Sequence, residues 1–239
     1  MLRLAFVLLF LPVAAAASCR DVEFEASSYT VCEVTSAQDL RLFQSGPEGA
    51  YGSFNAVEER LAAKGETLGF GMNAGMYHPD LRPVGLYIED GVEKTPLVTR
   101  EGPGNFGLLP NGVFCIGAGL RVIESLRYQA APPDCRYATQ SGPMLVIDGA
   151  LHPKFMAGSE SRHIRNGVGT SEDGKTAYFV ISNQPVNFYD FARLFRDALG
   201  VKNALYLDGA ISRLLAPEIG RMDAGFPMGP IIGLVVPRQ

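Results

Sequence analysis

Three short stretches bring together side chains able to do chemistry. In "NALYLDGAISR", residues 203–213, an apolar run ends on Asp208, and Gly209, Ser212 and Arg213 follow within five residues. In "NAGMYHPD", residues 73–80, Asn73, Gly75, Tyr77 and His78 supply an amide, a flexible backbone position, an aromatic hydroxyl and an imidazole. In "SRHIRNGVG", residues 161–169, Arg162, His163 and Arg165 fall within four residues beside glycine. A carboxylate at a strand end can serve as base, nucleophile or stabiliser of positive charge, and guanidinium donors match phosphate or carboxylate in pairs. "TQSGPMLVIDG" adds Ser141 and Gly142, which read either as a backbone anion nest or as a turn before Pro143.

Each stretch also has a plainer reading. Asp-Gly commonly marks a turn, as expected at Asp90, Asp148 and Asp173. Residues 73–80 read first as a Gly- and Pro-punctuated loop, and the Arg cluster reads equally as a solvated charged loop. His78, His152 and His163 show no HxH or HExxH spacing, so neither a metal site nor a cofactor is expected. No GxSxG, Walker or dinucleotide-binding fingerprint occurs in the right context.

The elements that must position these residues are partly visible. Ser53 reads as a helix N-cap, with Phe54, Val57 and Leu61 on one face and Gly65 just past the end, leading into "TLGFGMN". Asn187 caps a second helix, with Phe188, Phe191, Ala192, Phe195 and Leu199 on one face and Gly200 as its stop, leading into "ALYLDG". Asn73 and Asp208 hold the same place in these two units. Side by side and running the same way near the centre of one sheet, the two strands would put both residues on a common rim.

"DVEFEA", "YTVCEV" and "DLRLF" predict an N-terminal antiparallel meander. "VGLYIE", "FGLLP", "GVFCIG", "LRVIES" and "PMLVI" predict a β-rich middle, and "VGTSEDGKTAYFVIS" predicts a hairpin. The expected fold class is α+β, a single β-rich domain with a mixed sheet and a few flanking helices.

The bulk numbers restrict the function classes. A chain of 239 residues that is 47% hydrophobic and 19% charged can bury a full core and is not disordered. Its net charge of −4 argues against a nucleic-acid partner. Residues 1–17, "MLRLAFVLLFLPVAAAA", have the layout of a cleavable secretory signal, leaving 18–239 as the domain and a periplasmic or secreted protein. The apolar stretch Leu4–Leu11 is far shorter than the ~20 residues of a spanning helix, so no membrane anchor is expected. Ala16, where a bulkier aliphatic residue is usual, weighs against lipid modification of Cys19. The four cysteines lack CxxC spacing and read as disulfides. Of three connectivities, Cys19 with Cys32 and Cys115 with Cys135 is favoured, because each pair brackets a segment resembling adjacent strands.

Taken in order, "NAGMY", "QSGPMLV", "RNGVG" and "LDGAIS" resemble the phosphodiester glycosidase family, over roughly 140 residues. The family's stretches run approximately Asn-Gly-Gly-Tyr/Phe, Gly-Pro, Arg-Thr-Ala-Ile-Gly and Asn-Leu-Asp-Gly-Gly-Gly-Ser. Asn73, Gly75, Gly142, Arg165, Gly169, Asp208, Gly209 and Ser212 match. Ala74, Tyr206, Ala210 and Ile211 depart, and Ile211 in place of a glycine is expected to narrow or reshape the sugar pocket.

The resemblance implies hydrolysis at the anomeric carbon of a sugar-1-phosphodiester. Asp208, Asn73 and Arg165 would be catalytic, with Arg165 holding the departing phosphate. Gly75, Tyr77, Ser141, Gly142, Arg162, His163, Gly209 and Ser212 would bind a sugar-phosphate or polysaccharide substrate. A phosphate leaves as a stable anion, so one carboxylate can suffice where ordinary glycosidases use two. Two other readings are a noncatalytic envelope protein that binds an anionic glycan, and a metal-assisted phosphodiesterase using Asp208 with an acid such as Asp148.

Overall fold

Phe70, Phe114 and Phe179 come from three different sheets and meet at the centre of the molecule. Phe179 lies 5.0 Å from Phe70 and 5.6 Å from Phe114, ring centre to ring centre. The computed structural model describes residues 17–208 and 211–238. The expected signal, apart from Ala17, therefore lies outside the described residues, as does Gly209. Ala17 is buried against the core.

The largest sheet has seven strands in the order Ser18–Phe24, Ser27–Thr35, Thr176–Ser182, Asn166–Thr170, Asn203–Tyr206, Met144–Ile147 and Ala150–Leu151. One face contributes Phe179, Val168 and Leu205 to the centre. The other packs Val31, Val180, Leu145 and Tyr206 under the helical segment from Phe188 to Ala198. Burial on both faces explains why "ALYL" and "MLVI" read as continuous apolar runs rather than alternations.

A second sheet runs Arg221–Met222, Leu214–Ala216, Glu66–Asn73, Ile231–Pro237, Leu40–Phe43, and a third runs Leu120–Glu124, Gly112–Gly117, Cys135–Ser141, Tyr87–Glu89, Val92–Thr95. In the second, Phe70 pairs with Leu234 and Leu68 with Val235, so the register skips Gly69. That bulge turns Leu68 toward the Phe54–Ala62 helix, while Phe70 and Met72 face the centre.

Both helix caps form as the sequence predicts. Ser53 Oγ accepts the Ala56 N–H at 3.2 Å, and Asn187 Oδ1 accepts the Asp190 N–H at 2.8 Å. The 166–170 and 176–182 strands form the expected hairpin. Both favoured disulfides, Cys19–Cys32 and Cys115–Cys135, are present.

The α+β class and single β-rich domain hold, with five differences in detail. Every described strand pairing is antiparallel, where a mixed sheet was expected. The helix-strand units at 54–73 and 188–206 look like parallel crossovers, but their strands enter different sheets and pair with strands that run the opposite way. Leu40–Phe43 leaves the N-terminal hairpin to pair with Ile231–Leu234. "FGLLP" is a loop folded on itself, with Leu108 N–H bonded to Asn105 and Leu109 N–H to Gly107. Finally, Glu124 caps a short helix, Ser125–Ala130, that the apolar pattern of "LRVIES" hides.

Candidate active site

Asn73 ends its strand in the second sheet, and Asp208 lies two residues past the 203–206 strand of the first. Asn166, the first residue of the neighbouring strand, joins them. Its Nδ2 donates to the Asn73 carbonyl at 3.0 Å, and its Oδ1 accepts the Asp208 backbone N–H at 3.1 Å. Ser212 Oγ lies 3.1 Å from the Asp208 carbonyl, 3.1 Å from the Ile164 carbonyl and 3.3 Å from Asn166 Oδ1. Asn73 Oδ1 accepts the Arg213 backbone N–H at 2.8 Å. Side-chain amides and a hydroxyl thus fix the backbone on both sides of the Asp208 turn.

Asp208 is 7% exposed and faces a cavity of about 740 Å³. Tyr77, His78 and Ile211 line the same space, and the loop 100–107 closes over it. Within that loop Gly107 lies so close to Gly102 that any side chain would collide with its backbone. A groove of about 820 Å³ runs elsewhere along the molecule, past Glu33, Lys64 and Glu66, and contains none of the candidate site residues.

The charge of Asp208 acts on two tyrosines. Burial, reinforced by the negative charge of Asp208, pushes the Tyr77 hydroxyl up to about 12. The Tyr206 hydroxyl is likewise pushed to about 12, chiefly by burial, with Arg165 opposing and Asp208 adding to the rise. Both therefore stay protonated at neutral pH. The Tyr77 hydroxyl donates to the Pro227 carbonyl at 3.2 Å.

The other sequence-marked residues divide into three groups. Arg165, expected to hold phosphate, is 1% exposed and absent from the cavity wall. Its guanidinium lies 3.6 Å from the Phe188 ring centre and donates to the carbonyls of Val186 at 2.8 Å and Ser161 at 3.0 Å and to the Tyr206 hydroxyl at 3.4 Å. Burial pulls its pKa down from the usual arginine range. Arg162 and His163 are exposed, and Arg162 pairs with Asp190.

Gly75, Ser141 and Gly142 line none of the cavity and instead pack the segments behind it. A side chain at Gly75 would meet Gln140 O and Thr139 Oγ1 at 2.4 Å, and one at Gly142 would meet Asn111 Cβ at 2.7 Å. Ser141 Oγ donates to the Leu207 carbonyl, next to Asp208. Gly169 packs under Phe195 and Val201. Asp148 is far from this arrangement in role, being exposed and ion-paired with Arg127 at 2.7 Å.

Asn166 was not singled out in the sequence, although it stands beside Arg165 in "RNGVG". The available signal was a polar residue opening an otherwise small and apolar strand. One donor in the network stands out: Asn73 Nδ2 is buried and has no acceptor among the described residues. Buried donors are almost always paired, so this amide is an exception within an otherwise satisfied network.

Comparison with known proteins gives this geometry a family context. A protein of Escherichia coli (strain K12), the uncharacterized protein YigE, is 36% identical over 214 residues, spanning 88% of this chain and 83% of its own. The fold resembles the catalytic domain of zebrafish N-acetylglucosamine-1-phosphodiester alpha-N-acetylglucosaminidase, auto-inhibited by its pro-peptide. That likeness has a TM-score of 0.63 at 14% identity and covers 94% of this chain and 84% of the other. A putative exported protein from Burkholderia pseudomallei K96243 aligns with a TM-score of 0.59 at 13% identity, covering 87% of this chain and 74% of the other. The phosphodiester glycosidase model matches residues 66–224, a span that includes Asn73, Asn166, Asp208 and Ser212. The chain belongs to the phosphodiester glycosidase family, hydrolases that act on phosphodiester and glycosidic linkages.

Proposed function

We propose that the protein hydrolyses the anomeric C–O bond of sugar-1-phosphodiesters in glycoconjugates or exopolysaccharide, with Asp208 as the essential carboxylate. The observation that carries this reading is Asp208 itself: a nearly buried carboxylate on the wall of a sugar-sized cavity, its backbone fixed from Asn166 and Ser212. A carboxylate so held needs little reorganisation to support a cationic anomeric carbon or to activate water. Asn73 Nδ2 is a buried donor available to a substrate oxygen. Arg165 acts through Tyr206, keeping the wall beside Asp208 rigid. The leaving phosphate requires no proton from a second acid.

Export to the periplasm or beyond is part of the same proposal and agrees with the two disulfides. Ile211 on the cavity wall supports a sugar site shaped differently from one lined by glycine there.

Turnover of a panel of sugar-1-phosphodiesters in heavy-oxygen water tests the reading. The label is expected on the sugar's anomeric hydroxyl, and Asp208→Asn is expected to slow release at least about a hundredfold with the fold intact. Label on phosphate, a normal rate for Asp208→Asn, or no cleavage across the panel would overturn it.

A further inference from the structure

Two described arginines are buried, Arg165 and Arg213. The guanidinium of Arg165 is engaged by three protein oxygens. That of Arg213, 8% exposed, has neither hydrogen bond nor ion pair among the described residues; only its backbone N–H is bonded, to Asn73. A guanidinium left with little contact to water and no protein counter-charge favours an anion.

The surroundings of Arg213 suit one. Its side chain borders a hollow of about 190 Å³, whose opposite wall is Ser53, Phe54 and Asn55. These are the N-cap and first residues of the nine-residue Phe54–Ala62 helix, where unpaired N–H groups and the helix dipole attract negative charge. No acidic side chain stands in the first turn of that helix to meet this potential. Asp223 also borders the hollow, but its carboxylate is taken by the Leu214 N–H and by Arg221. Gly225 leaves room for the guanidinium: a Cβ there would sit 2.5 Å from Nη2.

The hollow lies close to the reacting carboxylate. Tyr77, on the wall of the Asp208 cavity, feels the charges of both Asp208 and Arg213, and its hydroxyl is bonded to Pro227 on the segment that encloses the hollow.

We propose that Arg213 and the N-terminus of the 54–62 helix form a phosphate-binding subsite and, resting on the hydrolase reading above, that this subsite holds the phosphate of the substrate. Arg165 then has no direct contact with it. The planar donors of Arg213 take two phosphate oxygens, and the helix N-terminus takes the remaining charge.

Inorganic phosphate is the probe, titrated by calorimetry into the wild type, Arg213→Gln, Gly225→Ala and, as a charge control, Arg121→Gln, an exposed arginine outside the site. Arg213→Gln and Gly225→Ala are expected to weaken phosphate binding at least about tenfold, while Arg121→Gln stays within about twofold of wild type. Gly225→Ala keeps the charge and displaces the guanidinium, so it serves if Arg213→Gln does not fold. With a cleavable sugar-1-phosphodiester, phosphate is expected to compete with substrate, and kcat/KM of Arg213→Gln to fall by a similar factor.

Phosphate binding that is absent from wild type, or unchanged when Arg213 is replaced or displaced, would overturn the subsite; inhibition not competitive with substrate would overturn its role in holding substrate. The titration needs no turnover, so a subsite that binds phosphate through Arg213 in a protein that cleaves nothing would sink the hydrolase reading alone.

Discussion

Asn166 and Asp208 are joined by a hydrogen bond from the Asp208 backbone N–H to Asn166 Oδ1, 3.1 Å long, across two adjacent strands. The other end of the same amide holds Asn73. One side chain therefore sets the separation of the two strand ends that carry the site. Asn166→Asp retains the acceptor for Asp208 but replaces the donor to the Asn73 carbonyl with a charge that repels it. A loss of at least about tenfold in turnover is expected, because small displacements of positioned groups are costly. Steady-state kinetics on a variant of normal circular dichroism checks this; undiminished kcat would remove Asn166 from the positioning network.

Arg165 belongs to the packing of the molecule. Its guanidinium lies over Phe188 with three protein acceptors, and a lysine in its place keeps the charge while losing the planar stacking and the forked donors. Arg165→Lys is expected to cost about 2–4 kcal/mol of stability. Chemical denaturation measures this, and an unchanged midpoint would argue against the structural role.

His152 gives the fold a dependence on pH. It is buried, Nδ1 accepts the Lys154 N–H, and Nε2 lies 3.1 Å from the Leu109 carbonyl, so the neutral ring with hydrogen on Nε2 satisfies both partners. Burial holds its pKa below the ordinary 6.5. The unfolded chain takes up the proton first as pH falls, so this contribution is complete above about 6.5 and is lost on descending toward the folded-state pKa. Between pH 7.5 and 5.5 the wild type should lose about 2–4 °C more in Tm than His152→Gln. Parallel melting curves for the two proteins would refute it.

Gly75 is required by contact with neighbouring backbone. Its N–H donates to Thr139 Oγ1, and an added Cβ would fall 2.4 Å from Gln140 O. Gly75→Ala must push the Asn73 loop away from the 135–141 strand, which is expected to cost about 1–3 kcal/mol and most of the activity. Thermal melting and turnover measured together test this. A variant that keeps its Tm but loses activity would point instead to direct contact with substrate.

What was legible in the sequence was mostly local. Ser53 and Asn187 cap helices through bonds to residues three positions on, and the 166–182 hairpin turns on its own Asp-Gly. Asn73 and Asp208 were legible as polar residues closing apolar strands. Their sheets were not, because the partners of Glu66–Asn73 are Leu214–Ala216 and Ile231–Pro237, more than a hundred residues downstream. The role of Arg165 was misleading for the same reason: an arginine beside glycines resembles a ligand, and only the fold brings Phe188 and Tyr206 around it. The Arg213 hollow was hidden because its helix N-terminus and its guanidinium come from opposite ends of the domain.

The Asn166–Asn73 bond crosses from the seven-stranded sheet to the sheet of Glu66–Asn73, and this has a consequence for how the protein acquires activity. The 166–182 hairpin can form its own ladder, and each helix its own cap, before the long-range strand pairings close. The working site cannot exist until they have, because its residues span positions 73 to 213 and are brought together only by that closure. Loop closure over such a separation is entropically slow compared with hairpin or helix formation. Recovery of enzymatic activity during refolding therefore times the final assembly of the domain, trailing the return of secondary structure.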